Sequence, residues 1–301
     1  RYGRRDLKTT EPAVFRFGAS ERTARLRLAA SDGGTIALDG RLASDGAQVK
    51  AQVQRVGLGL IDEDLSGRFD ADLDVHSQGQ RLAGLVTARL DAARGRGSDP
   101  KLGLNGDLRM GLANEELSID GDLTNAQGLD AKASIVLPAV SRASPFSFQL
   151  DRQRPIRGQV SAVGEVRPLW DLLVGGEREL AGRVKLQGRL GGTLADIRAT
   201  GDAAVEQGRF SDTATGLVIQ DANIVADLAD NEVNVRQASG VDGHGGAIEG
   251  QGRVSLQRDG ASTFRLNLKG FRLIDNDLAT ATATGQGTID RGADGRVRLS
   301  G

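Results

Sequence analysis

Alternation of apolar and polar residues is the feature that most constrains what this 301-residue chain can fold into. In residues 69–75, Phe, Ala, Leu and Val alternate with three Asp, and residues 264–268 repeat the pattern with Phe, Leu and Leu. A period of two places the apolar side chains on one face of a β-strand and the polar ones on the other. Because the pattern recurs along nearly the whole chain, we predict an all-β protein with one apolar face.

Glycine-containing turn signals separate the alternating segments. Spacings of about 8–15 residues between these signals favour short antiparallel strands joined as a meander. No fixed repeat length is present, which argues against a parallel solenoid. The predicted turns are Asp32-Gly33-Gly34, Asp45-Gly46, Asn105-Gly106, Asp120-Gly121, Asp259-Gly260 and Asp294-Gly295.

The composition favours an extended apolar surface over a thick core. Hydrophobic residues make up 39% of the chain but aromatic residues only 3%, and aromatic side chains supply much of the volume of compact cores. With 39 basic and 40 acidic residues, the chain has no net attraction for nucleic acid. It has no cysteine, which excludes disulfides and thiolate zinc sites. We therefore expect one continuous β segment over residues 1–301.

Residues 165–174 break the alternation and predict a short helix. Pro168 suits a first helical turn, and Gly175-Gly176 supplies a stop. Two interpretations follow: the helix covers apolar sheet, or Trp170 anchors a lid or narrows a groove. The apolar positions at helical spacing are Val166, Leu169, Trp170 and Leu173.

Side chains that could carry catalysis or bind metal are sparse. His76 and His244 stand far apart in sequence, and the glycine-rich segment around His244 lacks the Lys-Ser/Thr of a phosphate-binding loop. Asp70, Asp72 and Asp74 could supply oxygens to calcium, although aspartates alternating along a strand are more typical of a solvated face. We expect no enzyme, no cofactor and no metal site.

Several short motifs, taken in order, resemble the TamB family. The resemblance extends over the chain and is most distinct from about residue 160 onward. The motifs are Pro168-Leu169-Trp170-Asp171-Leu172-Leu173, Leu180-Ala181-Gly182-Arg183-Val184, Gly191-Gly192-Thr193-Leu194, Gly201-Asp202-Ala203-Ala204-Val205, Gly208-Arg209-Phe210, Thr215-Gly216-Leu217, Asp242-Gly243-His244-Gly245-Gly246 and Asp275-Asn276-Asp277-Leu278.

This resemblance implies an elongated, twisted sheet curled into an open U-shaped groove, called a β-taco. It implies a Gram-negative periplasmic protein, anchored in the inner membrane and meeting a TamA-like outer-membrane barrel through regions outside this chain. TamB-like proteins are implicated in phospholipid traffic and in autotransporter assembly. Since the chain starts at Arg1 without a signal peptide, we expect an internal piece of a longer protein.

From the shared period-two phase we predict which residues line the groove and contact phospholipid acyl chains. Two alternatives stay open: a chaperone or translocation module for outer-membrane polypeptides, and a structural β-solenoid with a filled core. The predicted lining residues are Val184, Leu186, Ile224, Leu228, Val233, Val235, Val254, Leu256, Phe264, Leu266 and Leu268, together with Leu169, Trp170 and Leu173 of the groove helix.

Overall fold

The computed structural model describes residues 7–174, 176, 178–257 and 260–301, and in them it contains twenty β-strands and one short α-helix. The first ten strands are β1 (Leu7–Thr9), β2 (Val14–Phe17), β3 (Glu21–Ala30), β4 (Thr35–Ala43), β5 (Gly46–Gly57), β6 (Leu65–Gln78), β7 (Arg81–Gly95), β8 (Leu104–Ala113), β9 (Glu116–Thr124) and β10 (Asp130–Arg142). The others are β11 (Ser147–Leu150), β12 (Arg157–Glu165), β13 (Arg178–Gly192), β14 (Ile197–Asp212), β15 (Leu217–Asp230), β16 (Glu232–Val241), β17 (Ala247–Ser255), β18 (Ser262–Asp275), β19 (Thr280–Arg291) and β20 (Val297–Ser300). The helix is α1 (Arg167–Leu173), and 3-10 turns lie at Leu58–Leu60 and Pro100–Leu102.

The strands form one open, antiparallel sheet. From β3 to β9 and from β12 to β20, each strand pairs with the next along the chain. β1 and β2 share the outer edge of β3, and β10 pairs with β9 and β11. The predicted all-β, antiparallel fold with one short helix is confirmed.

The strands divide into two compact units. The first unit comprises the residues up to Ala126 together with Lys132–Ile156, and the second comprises Gln127–Ala131 together with Arg157–Gly301. That the two share one continuous groove stays a prediction.

Hydrogen bonds between distant turns show that the sheet is curved within each unit. In the second unit Gln257 Nε2 donates to Asp196 Oδ1 at 2.8 Å, although these residues lie in turns that are four strands apart. Four strands of a flat sheet would span about 19 Å. In the first unit the backbone N–H of Ala143 donates to Gln80 O at 2.9 Å, again across four strands.

Bulges keep the apolar face continuous where the spacing of apolar residues changes from two to three. Arg55 takes a positive φ of 51°, and the register of β5 shifts between Val53 and Val56. The extra residue turns Val56 onto the same face as Val53. In β18 the corresponding bulge lies between Leu268 and Phe271, at Gly270 with φ of 57°, and it turns Phe271 onto the same face as Leu268.

Two turns predicted from the sequence are wrong. Asn105-Gly106 lies inside β8 and Asp120-Gly121 inside β9. A β-carbon built on Gly106 would lie 2.5 Å from Leu123 Cδ2, and one on Gly121 would lie 3.4 Å from Leu108 Cδ1. These glycines make room on the apolar face for a leucine of the neighbouring strand.

Candidate functional site

Ten of the eleven predicted lining residues share one face of the second unit. Directly paired residues of an antiparallel sheet lie on the same face, so the register groups them into rows that run across the strands. One row is Val184, Val205, Ile224, Ala238, Gly250, Leu266 and Gly287. The next is Leu186, Ala203, Ala226, Val235, Gly252, Phe264 and Ile289. A shorter row contains Leu228, Val233 and Val254, and Leu268 pairs with Ile248 in the same phase.

Leu256 is the predicted lining residue that the sheet does not include. It lies one residue beyond the end of β17, where its backbone N–H donates to Asn231 O at 2.7 Å. Its side chain is 44% exposed, and Val254 at the end of the short row is 41% exposed. Both residues therefore lie at the margin of the apolar face.

The predicted helix is present, and it contacts the beginning of β13. Trp170 Nε1 donates to Arg178 O at 2.8 Å, and Pro168 is fully buried. Leu169 is half-buried, while the Leu173 side chain and Gly175 lie outside the described part of the chain. Trp170 thus anchors the helix to the first residues of the following strand.

The buried large side chains are concentrated near strand ends and bulges, whereas those in the rows at the strand centres are partly exposed. Every row residue with a large side chain in the middle of β13, β15, β16 or β18 is partly exposed. Among the described residues, each buried Leu, Val, Ile or Phe lies at a strand end, a bulge or a 3-10 turn. These residues are Val56, Leu58, Leu82, Leu102, Leu104, Leu129, Ile156 and Phe271.

The first unit has an equivalent apolar face. Its central row, half-buried throughout, is Leu26, Leu38, Ala51, Leu73, Val86, Met110 and Ile119. One end of its strands is packed, with Ala47, Leu82 and Ala143 buried against Leu42, Val75 and Leu112. Both units therefore have an apolar face whose central side chains are partly exposed.

The total accessible surface fits a sheet without a covering layer. The chain exposes 18180 Å². Two separate globular domains, each half of the 31.6 kDa mass, would together expose about 14,600 Å². The chain therefore exposes more surface than two globular domains of its mass would.

The opposite face of the second unit is polar. Its ion pairs include Lys185 with Glu206 at 3.5 Å and Arg236 with Asp227. Val163 and Val225 also lie on this face, where they are 52% and 47% exposed. Neither residue belongs to the predicted lining set, and Val225 is out of phase with Ile224 and Leu228 of its own strand.

Aspartate carboxylates hold the short turns at the strand ends. Asp242 Oδ1 accepts from the backbone N–H groups of His244 at 2.7 Å and Gly246 at 2.8 Å, and Oδ2 accepts from that of Arg272 at 2.8 Å. Burial of this carboxyl raises its pKa, but the three N–H donors outweigh burial, and the pKa of Asp242 lies below its ordinary value. The segment that superficially resembles a phosphate loop is thus a self-contained turn.

Asp32 repeats this arrangement in the first unit. Its Oδ1 accepts from Gly34 N at 3.1 Å and its Oδ2 from Gly57 N at 2.8 Å. In both units the carboxylate joins a hairpin turn to the third strand, next to a fully buried bulge residue, Val56 or Phe271. These contacts show that the two aspartates stabilise the turns.

The residues considered for metal binding and catalysis do not converge. Asp70 accepts from Arg55 N at 2.8 Å, Asp72 accepts from Gln52 Nε2 at 3.1 Å, and Asp74 pairs with Lys50 at 3.0 Å. Within the described ranges no group of three His, Cys, Asp or Glu has the geometry to hold a metal ion. His76 lies 3.7 Å from Asp74 on the polar face.

Comparison with known proteins adds no relative. No protein-family model, no curated protein and no solved structure matches the chain. Among the residues that the structure describes, no helix has the length and apolar character needed to cross a bilayer. The fold and site define an open antiparallel sheet protein with a half-covered apolar face.

Proposed function

We propose that the apolar face binds phospholipid acyl chains and guides them along the sheet, without catalysis. The observation that carries this proposal is that large aliphatic side chains at the strand centres stay partly exposed, while the fully buried ones lie near strand ends and bulges. Each methylene moved from water to such a face gains about 0.8 kcal/mol. Rows without charged side chains let a chain move from strand to strand at nearly constant free energy.

The resemblance to TamB-like proteins supplies the cellular setting of this proposal. In that setting the protein works in the periplasm between the two membranes of a Gram-negative bacterium. It is anchored to the inner membrane and meets a TamA-like barrel through other parts of a longer protein. The phospholipid that it moves between the inner and outer membranes serves outer-membrane biogenesis.

Native mass spectrometry of the purified chain tests the proposal. We expect phospholipid to copurify and to be displaced by detergent. Recovery of unfolded polypeptide in place of lipid would favour the chaperone function, and recovery of neither would contradict both.

The chaperone function is a second candidate because one hairpin of the first unit exposes several large apolar side chains. In β10 and β11, Val140 is 41% exposed, Phe148 44% and Leu150 37%, and Phe146 in the turn between them is 48% exposed. β11 has only four residues, and its described pairing is with β10. An edge strand of this kind can add an extended segment of another polypeptide.

A further inference from the structure

Two glycines of the second unit lie beneath large side chains of the apolar face. A β-carbon built on Gly188 would lie 3.3 Å from Leu228 Cδ1 and 3.2 Å from Val160 Cγ2. Leu228 belongs to β15, two strands away from Gly188, and its register partner in the strand between them is Gly201. The leucine therefore lies flat across two glycines.

Phe264 lies flat over β17 in the same way. A β-carbon on Gly250 would lie 2.5 Å from Phe264 Cε1 and 3.0 Å from Leu266 Cδ2. Phe264 pairs directly with Gly252, so its ring extends along two glycines of one strand. An aromatic ring lying flat raises the floor of the face far less than one standing upright.

The two positions differ from other glycines of this face in what a side chain would meet. At Gly252 an added β-carbon would collide with the carbonyl oxygen of Thr263, a backbone atom that cannot move cheaply. At Gly188 the nearest atoms are the ends of side chains, and the nearest backbone oxygen is 3.8 Å away. At Gly250 the nearest backbone atom, Arg265 O, is 3.0 Å away. Neither Gly188 nor Gly250 has a positive φ, so a side chain at Gly188 needs only side-chain ends to move, whereas one at Gly250 also needs a small shift of Arg265 O.

We infer that Gly188 and Gly250 set the clearance of the apolar face for acyl chains, by letting Leu228 and Phe264 lie flat. The inference rests on the proposed function and adds its steric determinants. A valine at either position lifts the overlying side chain into the space that the lipid occupies. Displacing about two methylene groups of lipid from the face reduces local occupancy about tenfold.

Photocrosslinking at two reporter positions tests this inference. The photoreactive residue p-benzoylphenylalanine is placed at Leu186 or at Ile289, and the protein is incubated with vesicles of phosphatidylethanolamine and phosphatidylglycerol. We expect Gly250→Val to lower the lipid adduct at Ile289 about tenfold and to spare Leu186. Gly188→Val should lower the lipid adduct at Leu186 about tenfold and leave the adduct at Ile289 unchanged.

Gly191→Val is the matched control. Gly191 lies in the same strand as Gly188, on the opposite face, and a β-carbon there meets no atom within 4 Å. Both adduct yields should stay unchanged in this variant. Gly250→Ala should give a smaller drop at Ile289 and covers the case in which valine impairs folding.

Removal of the overlying ring should restore occupancy. In the double variant Gly250→Val with Phe264→Ala, the valine takes the space that the ring leaves, and the Ile289 adduct should return. Unchanged yields in both single valine variants would overturn the clearance inference while leaving lipid binding intact. Absence of any adduct in the unmodified background would instead overturn the proposed function.

Discussion

The strand ends and the strand centres of this molecule are built differently. At the ends, large side chains such as Leu104 and Leu82 are buried, and carboxylates such as Asp242 accept from several backbone N–H groups. At the centres, side chains such as Leu186 and Leu266 stay partly exposed, in rows without charged side chains. The difference indicates that the ends supply stability and the centres are left for a ligand.

Charges at the centre should have the largest effect on lipid binding. Leu266→Asp combined with Leu268→Asp places two carboxylates on the apolar face, where a passing acyl chain would have to strip their water at a cost of several kcal/mol. We expect copurified phospholipid to be lost while circular dichroism retains the β signal. Arg265→Asp with Lys269→Asp, on the polar face of the same strand, is the control and should keep its lipid.

Truncation should destabilise the ends far more than the centre. Leu104→Ala removes a fully buried side chain and should lower the free energy of unfolding by about 2–5 kcal/mol. Leu186→Ala removes a partly exposed side chain and should cost below about 1.5 kcal/mol. Denaturant unfolding of the two variants measures the difference, and equal losses would contradict the distinction between ends and centres.

Asp242 should contribute to stability in a pH-dependent way. Asp242→Ala leaves three backbone N–H groups without their acceptor and should cost about 1–3 kcal/mol at neutral pH. Since the folded state lowers the pKa of this carboxyl, its contribution is present above the unfolded pKa of about 4 and is lost as the pH falls through the folded value. The two unfolding free energies should therefore converge below about pH 4. A difference in unfolding free energy between the two proteins that does not change with pH would show that the ionised carboxylate is not the source of the stabilisation.

Ion pairs on the polar face should have the smallest effect. Lys50 and Asp74 lie 3.0 Å apart, but both side chains are about half exposed. Exposed pairs of this kind contribute between zero and about 1 kcal/mol. Lys50→Ala should leave both the unfolding midpoint and lipid recovery nearly unchanged, and a loss comparable with that of Leu104→Ala would contradict this expectation.

The sequence predicts the centre of the sheet well because alternation there is uninterrupted. Val184 and Leu186, or Leu266 and Leu268, need only a period of two to be placed on one face. The helix follows from the same kind of pattern, since Leu169, Trp170 and Leu173 change the period. The spacing of neighbouring apolar residues is therefore enough to predict these elements.

The strand ends were harder to predict because their contacts join distant residues. Asp242 accepts from Arg272, 30 positions away, and nothing near Asp242 in sequence indicates that partner. Asn105-Gly106 has the composition of a turn but serves cross-strand packing inside β8. The bulge at Gly270 can be predicted from the sequence, because Leu268 and Phe271 are three residues apart and this spacing interrupts the period of two.

Photocrosslinking along β18 tests the central claim most directly. With p-benzoylphenylalanine placed at each position from 264 to 269 in turn, an acyl-chain groove predicts lipid adducts at Phe264, Leu266 and Leu268. It predicts none at Arg265, Asn267 and Lys269. Adducts without this alternation, or none at the three apolar positions, would contradict the apolar face as the lipid-binding surface.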